Sequence, residues 1–186
     1  MTHACNEQRA VVGVVLAAGA GTRYGTPKVT AHDWLPRAVA ALADGGCGRV
    51  VVTLGAAVVD VPPPAEPVVV EDWREGLSAS VRAGVAAARS VPGLAGALLT
   101  LVDLPDVDAD VVARVLDASD RSPDAVVRTV YEGRPGHPVY VGSAHLDALL
   151  TTLHGDRGAG PFLAAHAGLR VVECGDLATG HDVDRR

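Results

Sequence analysis

Basic charge is scarce in this chain, and so are aromatic rings. Of 186 residues, 16 are Lys or Arg against 22 Asp or Glu, a formal net charge of -6. That balance supplies no positive field for a nucleic-acid polymer, although a local cluster of cations still suits a small anion. Aromatic residues make up 3% of the sequence while hydrophobic residues reach 48%. A folded globule of this composition must fill its core with Val, Ala and Leu. Cysteine is sparse too. Cys5, Cys47 and Cys174 are odd in number and lack Cys-x-x-Cys spacing, so they read as free thiols of a reducing compartment. No apolar run approaches the roughly 20 residues that cross a bilayer. The polar tail over residues 1–9 has no signal-peptide apolar core. The expectation is a cytoplasmic protein without membrane or nucleic-acid-polymer partners, folded as one domain over residues 1–186.

What is present is alternation. Short β-branched runs at residues 11–16, 49–54, 68–70 and 97–102 read as strands, joined later by 125–130, 139–141 and 169–173. Between them, residues 33–44, 78–90, 107–118, 144–153 and 161–167 have helical character. Gly45-Gly46 is a stop signal for the first helix, and Pro62-Pro63-Pro64 imposes an extended connection after the second strand. Strands separated by helices predict a three-layer α/β/α fold around a mainly parallel sheet. Ligands of such sheets bind beyond the carboxyl ends of the strands.

The residues that follow the strands are the informative ones. After the first strand, Gly19, Gly21 and Gly25 give Gly-x-Gly-x-x-x-Gly, one residue off the dinucleotide spacing, and Lys28 precedes Val29 where a P-loop needs Ser or Thr. A loop of small residues still offers backbone amides to an anion, and Arg23 and Lys28 add charge at two points, which suits an extended polyphosphate. A tight turn with two solvated cations is the plainer alternative. Asp103, in Leu101-Val102-Asp103-Leu104-Pro105, sits where a carboxylate reaches the ligand crevice and suits magnesium, or else caps a helix. Ser78 stands at the start of the next helical segment, as its cap or as an anion contact. Trp73 beside it reads as a packed side chain. His137 in Gly136-His137-Pro138, and Asp156 with Arg157 in Gly155-Asp156-Arg157-Gly158-Ala159-Gly160, are polar clusters that can shape a pocket. No HExxH or GxSxG pattern occurs, so zinc hydrolysis and serine-triad chemistry have no support.

In this order these stretches resemble the nucleotidyltransferases of molybdenum cofactor biosynthesis, the cytidylyltransferase type above all. Leu16-Ala17-Ala18-Gly19, Arg23-Tyr24-Gly25 and Pro27-Lys28 look like that family's first motif. Glu75-Gly76-Leu77-Ser78-Ala79-Ser80, Asp103-Leu104-Pro105, Gly136-His137-Pro138 and Gly155-Asp156-Arg157-Gly158-Ala159 look like its later ones. The resemblance implies a Rossmann-like nucleotidyltransferase fold. It implies transfer of CMP from CTP (or GMP from GTP) to the terminal phosphate of molybdopterin, with release of pyrophosphate and with Mg2+ as cofactor. Arg23, Lys28 and Asp103 would then be catalytic, with Leu16, Ala17, Ala18, Gly19, Gly21 and Ser78 also at the nucleotide. His137, Asp156 and Arg157 would meet the pterin, and Asp103 would hold the metal with the late aspartate of Asp182-Val183-Asp184, Asp184 first. Guanylyl relatives tend to carry Gly-Gly where this chain has Ala18-Gly19, which leans toward CTP. After Lys28 the chain departs from the family pattern, running through Val29-Thr30-Ala31-His32 almost at once into Asp33-Trp34-Leu35. Two other expectations compete: transfer to a different phosphorylated acceptor such as phospholactate, and a non-catalytic nucleotide-binding protein that hands cofactor to a molybdoenzyme.

Overall fold

A computed structural model describes residues 10–183 of the chain. Seven strands form one sheet. They are β1 (Ala10–Leu16), β2 (Arg49–Leu54), β3 (Glu66–Val69), β4 (Leu94–Leu101), β5 (Val126–Tyr131), β6 (Arg134–Gly142) and β7 (Leu169–Glu173), in the spatial order β3-β2-β1-β4-β6-β5-β7. Five α-helices separate them: α1 (Trp34–Asp44), α2 (Leu77–Arg89), α3 (Ala109–Ser119), α4 (Leu146–Thr151) and α5 (Gly160–Ala165). No helix among the described residues is long and apolar enough to cross a membrane.

The three layers follow from the valine-rich strands. Alternate residues of a strand face opposite ways, so each strand of the sheet feeds two cores. Val11, Val15, Val50, Val52 and Leu98 pack under α1 and α3. Val12, Val14, Val51, Ala97 and Leu99 pack under α2, α4 and α5. The first helix ends where its glycines predict, with Gly45 as C-cap and Gly46 at φ 107°. For α3, the Asp108 carboxylate accepts from the backbone N–H of Asp110 at 3.0 Å and of Val111 at 3.3 Å, which starts the helix two residues later than the periodicity predicts.

Parallel pairing joins β3-β2-β1-β4 and β5-β7, while β6 runs antiparallel to both β4 and β5. The reversal arises at Glu132-Gly133, both at positive φ (51° and 75°), the geometry of a two-residue hairpin turn. The strand expected at 139–141 therefore begins earlier, at Arg134. Because β6 runs backward, its first residues lie at the same sheet edge as the last residues of β1 and β4. Those ends carry the site.

Candidate functional site

At that edge a cleft of about 780 Å³ opens over the ends of β1 and β4. Its floor is Leu16, Ala17 and Ala18, followed by the loop residues Gly19, Gly21 and Arg23, with Lys28 closing that side. The loop doubles back on itself. The Gly25 N–H donates to the Gly21 carbonyl at 2.8 Å, and Gly21 sits at φ +60°, where an added Cβ would overlap the Thr26 carbonyl. Only glycine meets both conditions.

Lys28 donates to Asp103 Oδ2 across the cleft. The pair is largely withdrawn from water, with side chains 17% and 8% exposed. Burial pushes the Asp103 carboxyl above the ordinary carboxylate range, the Lys28 ammonium pulls it back, and the charge of Asp182 adds to the rise. Asp182 arrives on the segment that leaves β7. That segment is tied down by the Cys174 N–H on the Val130 carbonyl at 2.8 Å and by the Val183 N–H on the Asp103 carbonyl at 3.2 Å. Asp106 Oδ2 holds it between these points, accepting from the N–H and hydroxyl of Thr179, each at 2.6 Å. Asp182 thus faces Asp103 within the cleft.

The opposite wall is the approach to α2. Gly76, at φ +106°, is its N-cap, and a Cβ there would overlap the Asp156 carboxylate. Ser78, expected as the cap or an anion contact, is neither cap nor cleft residue. It lies in the first helical turn, buried, with no hydrogen-bond partner for its hydroxyl among the described residues. The helical period instead brings Leu77 and Ser80, three apart, to the cleft. Trp73 and Arg74 also line it, the guanidinium of Arg74 lying 4.5 Å from the centroid of the Trp73 ring.

Of the residues expected to meet an acceptor, Asp156 lines the cleft. Arg157 does not; it is exposed at the end of the short 3-10 turn Gly155–Arg157. His137 stands apart from the lining as well, half-buried at the start of β6, with Nδ1–H donating to the Leu99 carbonyl at 3.3 Å. Its pKa is pushed down by burial, and further by Arg128, while the Leu99 carbonyl and Asp182 oppose that shift. Asp184 lies outside the described residues. Arg74 and Ser80 are additions that the tertiary structure makes, each beside a motif already recognised, and Trp73, expected to be packed, lines the cleft. Asp182 comes from the Asp182-Val183-Asp184 stretch in which Asp184 is the expected ligand. The carboxylates of Asp103 and Asp182 beside two cations form a donor set that fits a hard divalent cation shared with phosphates.

The chain and its fold are similar to known proteins. The chain is 36% identical over 192 residues to the nicotine blue oxidoreductase of Paenarthrobacter nicotinovorans, covering 94% of this chain and 92% of that one. The crystal structure of Rv0371c from Mycobacterium tuberculosis H37Rv superposes with a TM-score of 0.73 at 28% identity, over 95% of this chain and 93% of that one. A structure of Rv0371c in complex with manganese superposes with a TM-score of 0.70 at 26% identity, over 94% of each chain. The family model described as the MobA-like NTP transferase domain matches residues 13–171. This chain belongs to the MobA-like NTP transferase domain family.

Proposed function

We propose that the cleft binds CTP with Mg2+ and transfers CMP to the terminal phosphate of a phosphorylated pterin, molybdopterin or its molybdenum form, releasing pyrophosphate. The observation that carries this reading is the convergence of Arg23, Lys28, Asp103 and Asp182 on one small-residue loop at the end of β1. Arg23 and Lys28 neutralise the triphosphate and hold its α-phosphorus in line with the incoming oxygen. Asp103, Asp182 and Asp184 would hold the metal, which when bound supplies Lewis-acid stabilisation of charge on the transferring phosphoryl group. The manganese complex of the Rv0371c structure supports a divalent cation in this fold. Lys28 opposes the rise that burial imposes on Asp103, which favours the carboxylate form that a cation needs. No protein nucleophile is needed, since the acceptor phosphate is the nucleophile.

Ala18 favours cytosine. Its methyl packs with Val70 and Ala79, and Trp73 lies against that cluster, which narrows the floor where a purine would need width. The test is pyrophosphate release with CTP, GTP and ATP against a panel of phosphorylated acceptors. Turnover with CTP and a pterin phosphate supports the reading; turnover with CTP and phospholactate alone transfers it to that acceptor. CTP binding without turnover on any acceptor leaves a cofactor-handling role.

A second reading rests on the 36% identity to a protein named as an oxidoreductase. It makes the cleft a dinucleotide site for hydride transfer. The loop spacing and the end of β2, Leu54-Gly55, where no acidic residue waits for a ribose, speak against it. Oxidation of NADH or NADPH by a panel of electron acceptors, followed by the absorbance of the reduced nicotinamide, would favour it.

A further inference from the structure

Arg128 is the group that this chemistry leaves unexplained. It lies on β5 opposite Val139 of β6, and so on the face of the sheet where Val139 and Leu99 pack under α2, α4 and α5. His137 precedes Val139 by two residues on the same strand, across the cis His137–Pro138 peptide and a shift in the β5–β6 register, and the Arg128 charge acts on it. It also lies nearer the sheet edge at which the cleft opens.

Arg128 is held partly out of water. Its Nε is buried and finds no hydrogen-bond acceptor among the described residues. Burial lowers its pKa, and no carboxylate among the described residues acts on it. Elsewhere half-exposed arginines have partners, as Arg49 does in Glu66 and Arg114 in Asp176. A guanidinium drawn from water without an acceptor is costly to keep unless a ligand supplies one. His137 is fixed beside it. Its Nδ1–H is committed to the Leu99 carbonyl and its own carbonyl accepts from the Tyr131 hydroxyl at 2.6 Å. Nε2 is therefore the ring atom left to face a ligand. The charge of Asp182 acts on both Asp103 and His137, and Asp182 lines the cleft.

A neutral imidazole offers Nε2 as an acceptor, and a guanidinium offers only donors. A phosphate monoester meets both, with oxyanion oxygens for Arg128 and, as its monoanion, a hydroxyl for His137. We propose that Arg128 and His137 form a second oxyanion subsite, beyond Asp182 on the β6–β5 side of the cleft, that takes the phosphate monoester of the acceptor. The word acceptor rests on the nucleotidyl-transfer reading; the binding of the oxyanion does not.

The test uses the full chain and inorganic phosphate as the probe. The arginine Nε–H signals are followed by 15N NMR at saturating CTP, with Arg128 assigned by the signal missing in Arg128→Gln. A saturable shift of the Arg128 signal is expected. Isothermal titration should show phosphate affinity falling about tenfold or more in Arg128→Gln, with CTP affinity kept and an intermediate loss in Arg128→Lys. Acetate, which lacks the hydroxyl, should bind several-fold more weakly than phosphate. An unmoved Arg128 signal overturns the proposal. So does phosphate binding that Arg23→Gln removes and Arg128→Gln or Arg128→Lys leaves intact, since that places the ion in the loop after β1. If CTP fails to bind while phosphate still shifts Arg128, the nucleotidyl-transfer reading falls and the oxyanion subsite stands.

Discussion

Replacing Lys28 by Met should destabilise the protein in a manner that depends on pH, and the direction follows from its partner. Lys28 and Asp103 form an ion pair with side chains 17% and 8% exposed, so solvent screens it far less than a surface pair. Removing one member of such a pair costs about 3 kcal/mol, which for a domain of this size lowers Tm by roughly 6–12 °C. In Lys28→Met the surviving group is a buried carboxylate whose pKa already lies above its ordinary 3.8, and the two largest influences that lowered it both came from Lys28. An acid with a raised folded-state pKa favours the fold when protonated. Its contribution is complete below the unfolded value and is lost as pH rises through the folded one. The deficit of Lys28→Met against wild type is therefore greatest at neutral pH and shrinks on acidification. In Asp103→Asn the titrating carboxyl is gone, so wild type gains on acidification what the variant cannot, and that deficit grows instead. The double variant should cost less than the sum of the singles by about 2 kcal/mol. Urea denaturation of the four proteins at neutral and mildly acidic pH measures all of this. Single variants that add within about 0.5 kcal/mol, or a Lys28→Met deficit that grows on acidification, refute the reasoning.

Gly21→Ala should lower CTP affinity by about tenfold or more, since a Cβ at φ +60° meets the Thr26 carbonyl and opens the phosphate loop; unchanged affinity by titration calorimetry would take the loop out of the site. Burial pushes the Cys47 thiol up to about 12 and raises that of Cys174, so with Cys5 replaced by Ser a thiol reagent at mildly alkaline pH should react only after denaturation. Rapid labelling of the native variant would contradict that burial. Glu173 accepts from the N–H groups of Glu132, Gly133 and Gly175, which hold its pKa below the ordinary 4.5. Its contribution is present above that value and disappears as pH falls through the lowered one, so Glu173→Gln should flatten the acid limb of a stability–pH profile.

The order of residues determined the alternation of strands and helices, because period-2 and period-3.6 burial are written in local valine and alanine spacing. It determined the glycine-rich loop after β1 as well: Gly19, Gly21, Arg23 and Lys28 lie within one short stretch of chain, and a short loop has little freedom over where they go. Other features depended on contacts distant in sequence. The reversal of β6 stems from a positive-φ turn at Glu132-Gly133 that shows only in three dimensions. Ser78 left the site and Ser80 entered it because Gly76, rather than Ser78, begins α2, and the helical phase follows from that start. Asp182 reaches Asp103 through a segment pinned by Asp106 and the Asp103 carbonyl, and Lys28 meets Asp103 across 75 residues. Arg128 reads from sequence as one more charge on a strand. Only the tertiary structure buries its Nε near His137 with no acceptor among the described residues, because the cost of an unpaired donor depends on what surrounds it and never on its neighbours in the chain.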